Sequence, residues 1–123
     1  METALITQLK MSLLDIWNER DNSRRLMAIE RIYAPNSSFF EQEEEIKGHN
    51  GLNDFINKLH SQFPDNFKFN VIAAHVNHNV GRLSWQFGPK GQAPAVTGMD
   101  IALFENGYIN ALYVFIDAPV INE

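Results

Sequence analysis

The chain has 123 residues, 45% apolar and 20% charged, with no low-complexity tract, so it fits one globular domain (residues 1–123) and is too short for two. Its net charge of −5 argues against nucleic acid or an anionic membrane surface as partner. The absence of cysteine excludes disulfides, iron–sulfur clusters and Cys-based zinc sites. No apolar run spans a bilayer and "METALITQLK" lacks the pattern of a signal peptide, so the expectation is a soluble, cytoplasmic protein with no membrane partner. The sequon at Asn36-Ser37-Ser38 is then expected to stay unglycosylated.

The first half reads as helical. Ile6, Leu9, Leu13, Ile16 and Trp17 recur at helical spacing and predict one helix from about Thr3 to Glu19. "RDNS" breaks the pattern, and Asn22 or Ser23 is a candidate cap for a second helix that buries Leu26, Ile29, Ile32 and Tyr33 and is ended by Pro35. "SSFFEQ" predicts a short strand, the acidic "EEE" a turn, and a second short strand leads to Gly48. A third helix from about Asn50 places Leu52, Phe55, Ile56, Leu59 and Phe63 on one side, with Pro64 as its stop.

The second half reads as strand after strand. "FKFNVIAAHV" sets Phe67, Phe69 and Val71 against Ile72, Ala74 and Val76, and "VGRLSWQFG" sets Leu83, Trp85 and Phe87 against Arg82, Ser84 and Gln86. After the loop "PKGQAP", the stretch from Thr97 to Asp117 predicts two strands joined at Asn106-Gly107, both positions accepting φ > 0. Helices first and an antiparallel meander after them is an α+β pattern. The last strand is apolar on both faces, with Leu112, Val114 and Ile116 on one and Tyr113 and Phe115 on the other. Helices can cover one face, and a second copy of the chain is the simplest cover for the other.

One residue conflicts with this pattern. Asp100 stands inside an otherwise apolar strand, where an ionised carboxylate is costly to bury unless it is paired or hydrogen-bonded. Burial among apolar groups raises a carboxyl pKa and makes a proton donor near neutral pH. The alternative is a structural Asp bonded to Trp, His or backbone donors.

Trp17-Asn18-Glu19-Arg20-Asp21, Ile32-Tyr33-Ala34-Pro35-Asn36, Gly48, Phe63-Pro64-Asp65, Gly98-Met99-Asp100, Phe104-Glu105-Asn106-Gly107, Ile109 and Asp117 occur in an order and spacing that spans nearly the whole chain. Together they resemble the SnoaL-like polyketide cyclase branch of the nuclear transport factor 2-like superfamily. The resemblance implies a curved antiparallel sheet wrapped around three helices, the cone-shaped, cystatin-like fold with an apolar pocket, usually as a homodimer. It implies a small apolar or cyclic organic ligand and no cofactor. Members include cyclases, ketosteroid isomerases, dehydratases, epoxide hydrolases and proteins with no catalysis, so function rests on the site.

By the same resemblance Asp100 falls on the strand that carries the protonated acid of ketosteroid isomerases. Glu41 falls where those enzymes hold a general-base Asp, one methylene shorter, and can equally be the start of a solvated acidic run with Glu43, Glu44 and Glu45. Trp17 falls where they have an oxyanion-hole tyrosine, and an indole N–H donates a hydrogen bond without acting as an acid. The implied pocket contacts are Trp17, Tyr33, Phe39, Phe55, Leu59, Phe63, Arg82, Trp85, Leu112, Val114 and Ile116. Arg82 can face inward and pair with Asp100, or outward with Ser84 and Gln86. His75 and His78 lack a third ligand and a metal motif, so no metal is expected, while His49 and His60 read as a helix cap and a helix-surface residue. Gly98 and Gly107 read as turn or bulge glycines.

Overall fold

The N-terminal apolar stripe forms helix α1, Glu2–Met11, which runs directly into a π-helical turn, Ser12–Trp17, in a computed structural model that describes residues 2–117. The wide turn is closed by the Asn18 N–H on the Leu13 carbonyl at 3.1 Å, and Leu13, Ile16 and Trp17 all end up buried. The helix stops at Trp17, short of the expected Glu19, because Asn18 acts as a strand would. Its side chain accepts from the Phe69 N–H at 2.7 Å and donates to the Phe69 carbonyl at 2.9 Å.

Helix α2, Asn22–Ile32, is capped by Asp21, whose carboxylate accepts from the Arg24 N–H at 2.9 Å. The expected cap Asn22 is engaged elsewhere, its amide oxygen accepting from Asn53 and Asn57 at 2.8 and 2.9 Å. The buried stripe of α2 is Arg25, Ala28, Ile29 and Ile32, with Leu26 only half-buried. Strands β1, Tyr33–Phe40, and β2, Glu45–Lys47, lead into helix α3, Gly48–Gln62. Strands β3, Phe67–Asn77, β4, Val80–Pro89, β5, Val96–Glu105, and β6, Tyr108–Ile116, follow. Asn106 and Gly107 turn the last hairpin with φ of 54° and 82°.

The six strands form one sheet in the order β2-β1-β6-β5-β4-β3. Every pair is antiparallel except β1 with β6, so the sheet is mixed rather than purely antiparallel. The three helices pack on its inner face over a core that includes Leu9, Ile16, Ile29, Ile56, Leu83 and Ile109.

Strand β3 departs from simple alternation. Val71 pairs with Trp85 but Ala73 pairs with Ser84, so Ile72 is the extra residue of a bulge and is 57% exposed. After the bulge Ala74, opposite Leu83, returns to the same side as Val71, against the expectation that it shares a face with Ile72. A bulge bends its strand, which curls this end of the sheet around the helices. On the outer face Phe40 stacks on Tyr113 with centroids 4.5 Å apart, and Phe115 lies 56% exposed. Among the described residues no helix is long and apolar enough to cross a membrane.

Candidate functional site

Between α3, the π-helical turn and the inner face of the sheet lies a cavity of about 340 Å³. Pairing register decides what it contains. Leu83 faces Asp100, Trp85 faces Gly98, Asp100 faces Val114 and Gly98 faces Ile116, so these side chains share the inner face. Arg82, Ser84 and Gln86 alternate with Leu83 and Trp85 and therefore lie outside.

Asp100 is 5% exposed and lines the cavity. Its Oδ1 accepts from the Trp85 indole N–H at 2.9 Å, the only hydrogen bond to its carboxyl among the described residues. Burial pushes its pKa from the ordinary 3.8 up to about 7, the Trp85 hydrogen bond pulling the other way. The position of Trp85 depends on Gly98, which sits in mid-strand rather than in a turn. A Cβ there would collide with the indole ring and lie 2.7 Å from the Phe115 carbonyl. The indole can cross the strand and reach Asp100 only because that Cβ is missing.

Trp17, Phe39, Phe55, Leu59, Phe63, Trp85, Val114 and Ile116 line the same cavity, with Ile116 at the margin, 42% exposed. The rings meet edge to face: Trp17 with Phe55 at 71°, Trp17 with Phe69 at 75°, Phe69 with Trp85 at 80°. The Trp17 indole N–H is buried and has no hydrogen-bond partner among the described residues; it comes near the Tyr33 hydroxyl, but not with hydrogen-bond geometry.

Three sequence-derived assignments need correction, those of Arg82, Tyr33 and Leu112, whereas Glu41 does line the cavity. Arg82 points away from the cavity and lies 3.5 Å from His75, so it cannot neutralise Asp100. Tyr33 is buried behind the wall, its hydroxyl 2.7 Å from Ser12 Oγ, and burial raises its pKa, so it stays a neutral phenol. Leu112 is in the closed core opposite Ala102 and does not reach the cavity. Glu41 lies just past the end of β1 at the rim, half-buried, where its carboxylate accepts from the Glu43 N–H at 2.8 Å.

Leu13, Gln42, Gln62, Phe69, Phe87 and Val96 also line the cavity without having been expected there. Phe87 carried a usable signal, since it alternates in phase with Trp85. His60 is half-buried rather than freely exposed: its Nε2–H donates to the Trp17 carbonyl at 2.7 Å and its Nδ1 faces Arg25 at 3.3 Å. His49 contacts the Tyr33 carbonyl, and His78 contacts the Asn77 side chain. Among the described residues no three His, Cys, Asp or Glu side chains cluster as a metal site would require.

No family model matches the chain, and no curated protein matches it. Solved structures do. A candidate isomerase of the SnoaL-like family from Agrobacterium tumefaciens superposes with a TM-score of 0.85 at 24% identity, covering 94% of this chain and 99% of that one. A candidate SnoaL-like polyketide cyclase from Jannaschia gives 0.79 at 16% identity, covering 94% and 87%. An LEH-like epoxide hydrolase from Mycobacterium tuberculosis gives 0.70 at 8% identity, covering 94% and 84%. Three chemistries on one backbone speak for architecture and not for reaction. The chain has the α+β cone of the SnoaL-like, nuclear transport factor 2-like proteins.

Proposed function

We propose that the chain binds a small, apolar, cyclic or conjugated molecule in the cone and catalyses proton transfer next to a carbonyl. The observation that supports this is Asp100, a buried carboxyl with one hydrogen bond, facing an apolar cavity, with a pKa near neutrality. Such a group is neutral often enough at pH 7 to hydrogen-bond a ligand carbonyl and protonate it as negative charge develops. The carbon acid then needs a base. Glu41 at the rim is the other carboxyl group that lines the cavity among the described residues, and it acts once its side chain leaves the Glu43 N–H. Aldol-type cyclisation, isomerisation and dehydration all begin with that enolisation.

The test is deuterium incorporation at the activated methylene of 2-tetralone in D₂O, followed by NMR. Wild type accelerates exchange and Asp100→Asn loses about a hundredfold or more of that acceleration, the usual contribution of a positioned general acid. Binding without any acceleration would leave a second reading, a non-catalytic small-ligand module. That reading is favoured by the tether of Glu41 to its own turn, which leaves Asp100 as the one carboxyl deep in the cavity.

The outer face is proposed as a homodimer surface. Phe40, Tyr113 and Phe115 with Met99 and Ile101 form an apolar stripe, flanked by Arg82, Ser84 and Gln86 on one side and by Glu45 and Lys47 on the other. A stripe with polar margins suits the self-complementary contact of a two-fold pair. Light scattering is expected to give a dimer at micromolar concentration and a monomer for Tyr113→Glu. A wild-type monomer rejects the proposal.

A further inference from the structure

The chemistry of the cavity wall is one-sided. Among the described residues no Lys or Arg lines it. Arg82 is on the outer face, and Lys58 lines a separate groove on the far side of the α3 residues Phe55 and Leu59. The charged groups that line the cavity are acidic: Asp100 at depth and Glu41 at the rim, where the turn continues through the exposed Glu43 and Glu44. The rest of the surface is chiefly aromatic, and the rings are tilted against one another rather than stacked. Trp17 meets Phe39 at 57°, Phe39 meets Phe55 at 63°, and Phe69 meets Trp85 at 80°. Tilted rings form the walls of a box and turn several π-surfaces toward one enclosed volume.

A carboxylate and an aromatic box attract the same kind of ligand, a cation with an apolar body. Asp100 has the geometry for it. Oδ1 is engaged by Trp85, and no protein donor reaches the carboxyl otherwise among the described residues. An ammonium N–H would supply the missing donor and the missing countercharge together. Carboxylates and phosphates meet the opposite situation, an acidic rim and no cation inside.

We infer that the cone is a receptor site for hydrophobic organic cations, ring-bearing amines whose ammonium is held by Asp100 within the Trp17–Phe39–Phe55–Phe69–Trp85 box. This rests on the cavity being open to ligands, as the proposed function does, but not on any catalysis there. The two readings use opposite protonation states of one group. A neutral carbonyl ligand needs the acid form of Asp100, and an ammonium needs the carboxylate. Their affinities therefore run in opposite directions with pH. The other titratable groups near Asp100 do not blur this: Tyr33 behind the wall stays protonated, and Glu41 lies at the rim. Arg25 and His60 face each other under the helices, outside the cavity lining.

The experiment is calorimetric titration with two probes of one shape, 1-naphthylmethylamine and 1-naphthalenemethanol, from about pH 5 to about pH 8. At the upper end the amine is expected to bind at least roughly tenfold tighter than the alcohol, as a partly desolvated cation–π and charge contact provides. That advantage shrinks as pH falls and Asp100 takes up a proton. Asp100→Asn removes the advantage while the alcohol still binds. Alcohol binding equal to or tighter than the amine overturns the inference and leaves the carbonyl reading standing. An amine advantage that persists in Asp100→Asn overturns it in favour of attraction at the rim alone. If neither probe binds, the inference and the ligand-pocket reading fail together. Should Asp100→Asn not fold, the wild-type pH profile decides: a flat amine advantage is the overturning result.

Discussion

Among the described residues two acidic or basic side chains are buried, and their surroundings differ in kind. Arg25, fully buried under α2 and α3, is surrounded by acceptors. Its Nε donates to Asn53 Oδ1 at 2.7 Å, Nη1 to the Glu19 carbonyl at 2.7 Å and toward His60 Nδ1 at 3.3 Å, and Nη2 to Asn22 and Asn57. Asp100 has one donor. A buried charge with every valence met is part of the frame, because removing it strands its partners. A buried acid with most of its valence unmet is held against its own preference by the fold, which is the pattern of a site rather than of a strut.

The largest effect is expected at the satisfied member. Arg25→Ala removes the donor from Asn22, Asn53, Asn57, His60 and the Glu19 carbonyl at once. The expected loss is about 4 kcal/mol or more, as for breaking a buried polar network. A urea melt measures it. A loss under about 1 kcal/mol would mean that water replaces the guanidinium easily and that the contrast with Asp100 is false.

The unsatisfied member should respond with the opposite sign. Its folded pKa, about 7, lies above the ordinary 3.8, so the folded chain keeps a proton that the unfolded chain releases. Stability from this group is present below about pH 4, declines as pH rises through the window to about 7, and is gone above it. The full span corresponds to roughly 4 kcal/mol. Asp100→Asn keeps the shape and an acceptor for Trp85, so it should match wild type near pH 4 and exceed it near pH 8. Urea midpoints across that range test the sign. A loss of about 3 kcal/mol at pH 8 would make Asp100 structural.

The same contrast marks how far the sequence could be read. Asp100 was legible because an acid interrupts an apolar alternation. Arg25 was not, although it holds the i position of an i, i+3, i+4, i+7 stripe with Ala28, Ile29 and Ile32. Beside Arg24 it reads as one more solvated charge, and only the α3 asparagines opposite, Asn53 and Asn57, explain its burial. The bulge at Ile72 was equally hidden, since Ile72, Ala74 and Val76 are apolar in either phase and no polar residue marks the slip. The side taken by Arg82 stayed open because both faces of the sheet carry apolar residues. The helices, the hairpin and most aromatic walls came through because periodicity specifies a face wherever one set of positions is clearly polar.

Gly98 supports the Asp100 side of the comparison without lining the cavity. Gly98→Ala drives a methyl into the Trp85 ring and the Phe115 carbonyl, and the backbone contact leaves it no side chain to push aside. The expected loss is about 2–3 kcal/mol, in the range of core overpacking. Near-UV circular dichroism should change too, because Trp85 must leave Asp100. An unchanged tryptophan signal would show that the indole does not depend on that gap.

The smallest expected effect concerns the second incompletely paired group, the Trp17 N–H. It is buried with no partner among the described residues, so the fold already carries the desolvation of a lone donor, about 1–3 kcal/mol. Trp17→Phe removes the donor and leaves a space on the order of one small ring, which costs about 1 kcal/mol at the usual rate per unit of cavity volume. The two terms oppose each other, and the net change should stay within about 1 kcal/mol of zero, against the large loss at Arg25. A urea melt of Trp17→Phe beside Arg25→Ala makes the comparison direct. If Trp17→Phe instead destabilises by about 3 kcal/mol, its N–H is bonded in solution, most simply to the nearby Tyr33 hydroxyl, and belongs with Arg25 among the satisfied groups. A result near zero places it with Asp100, on the side of the molecule where buried polarity is left over for something other than folding.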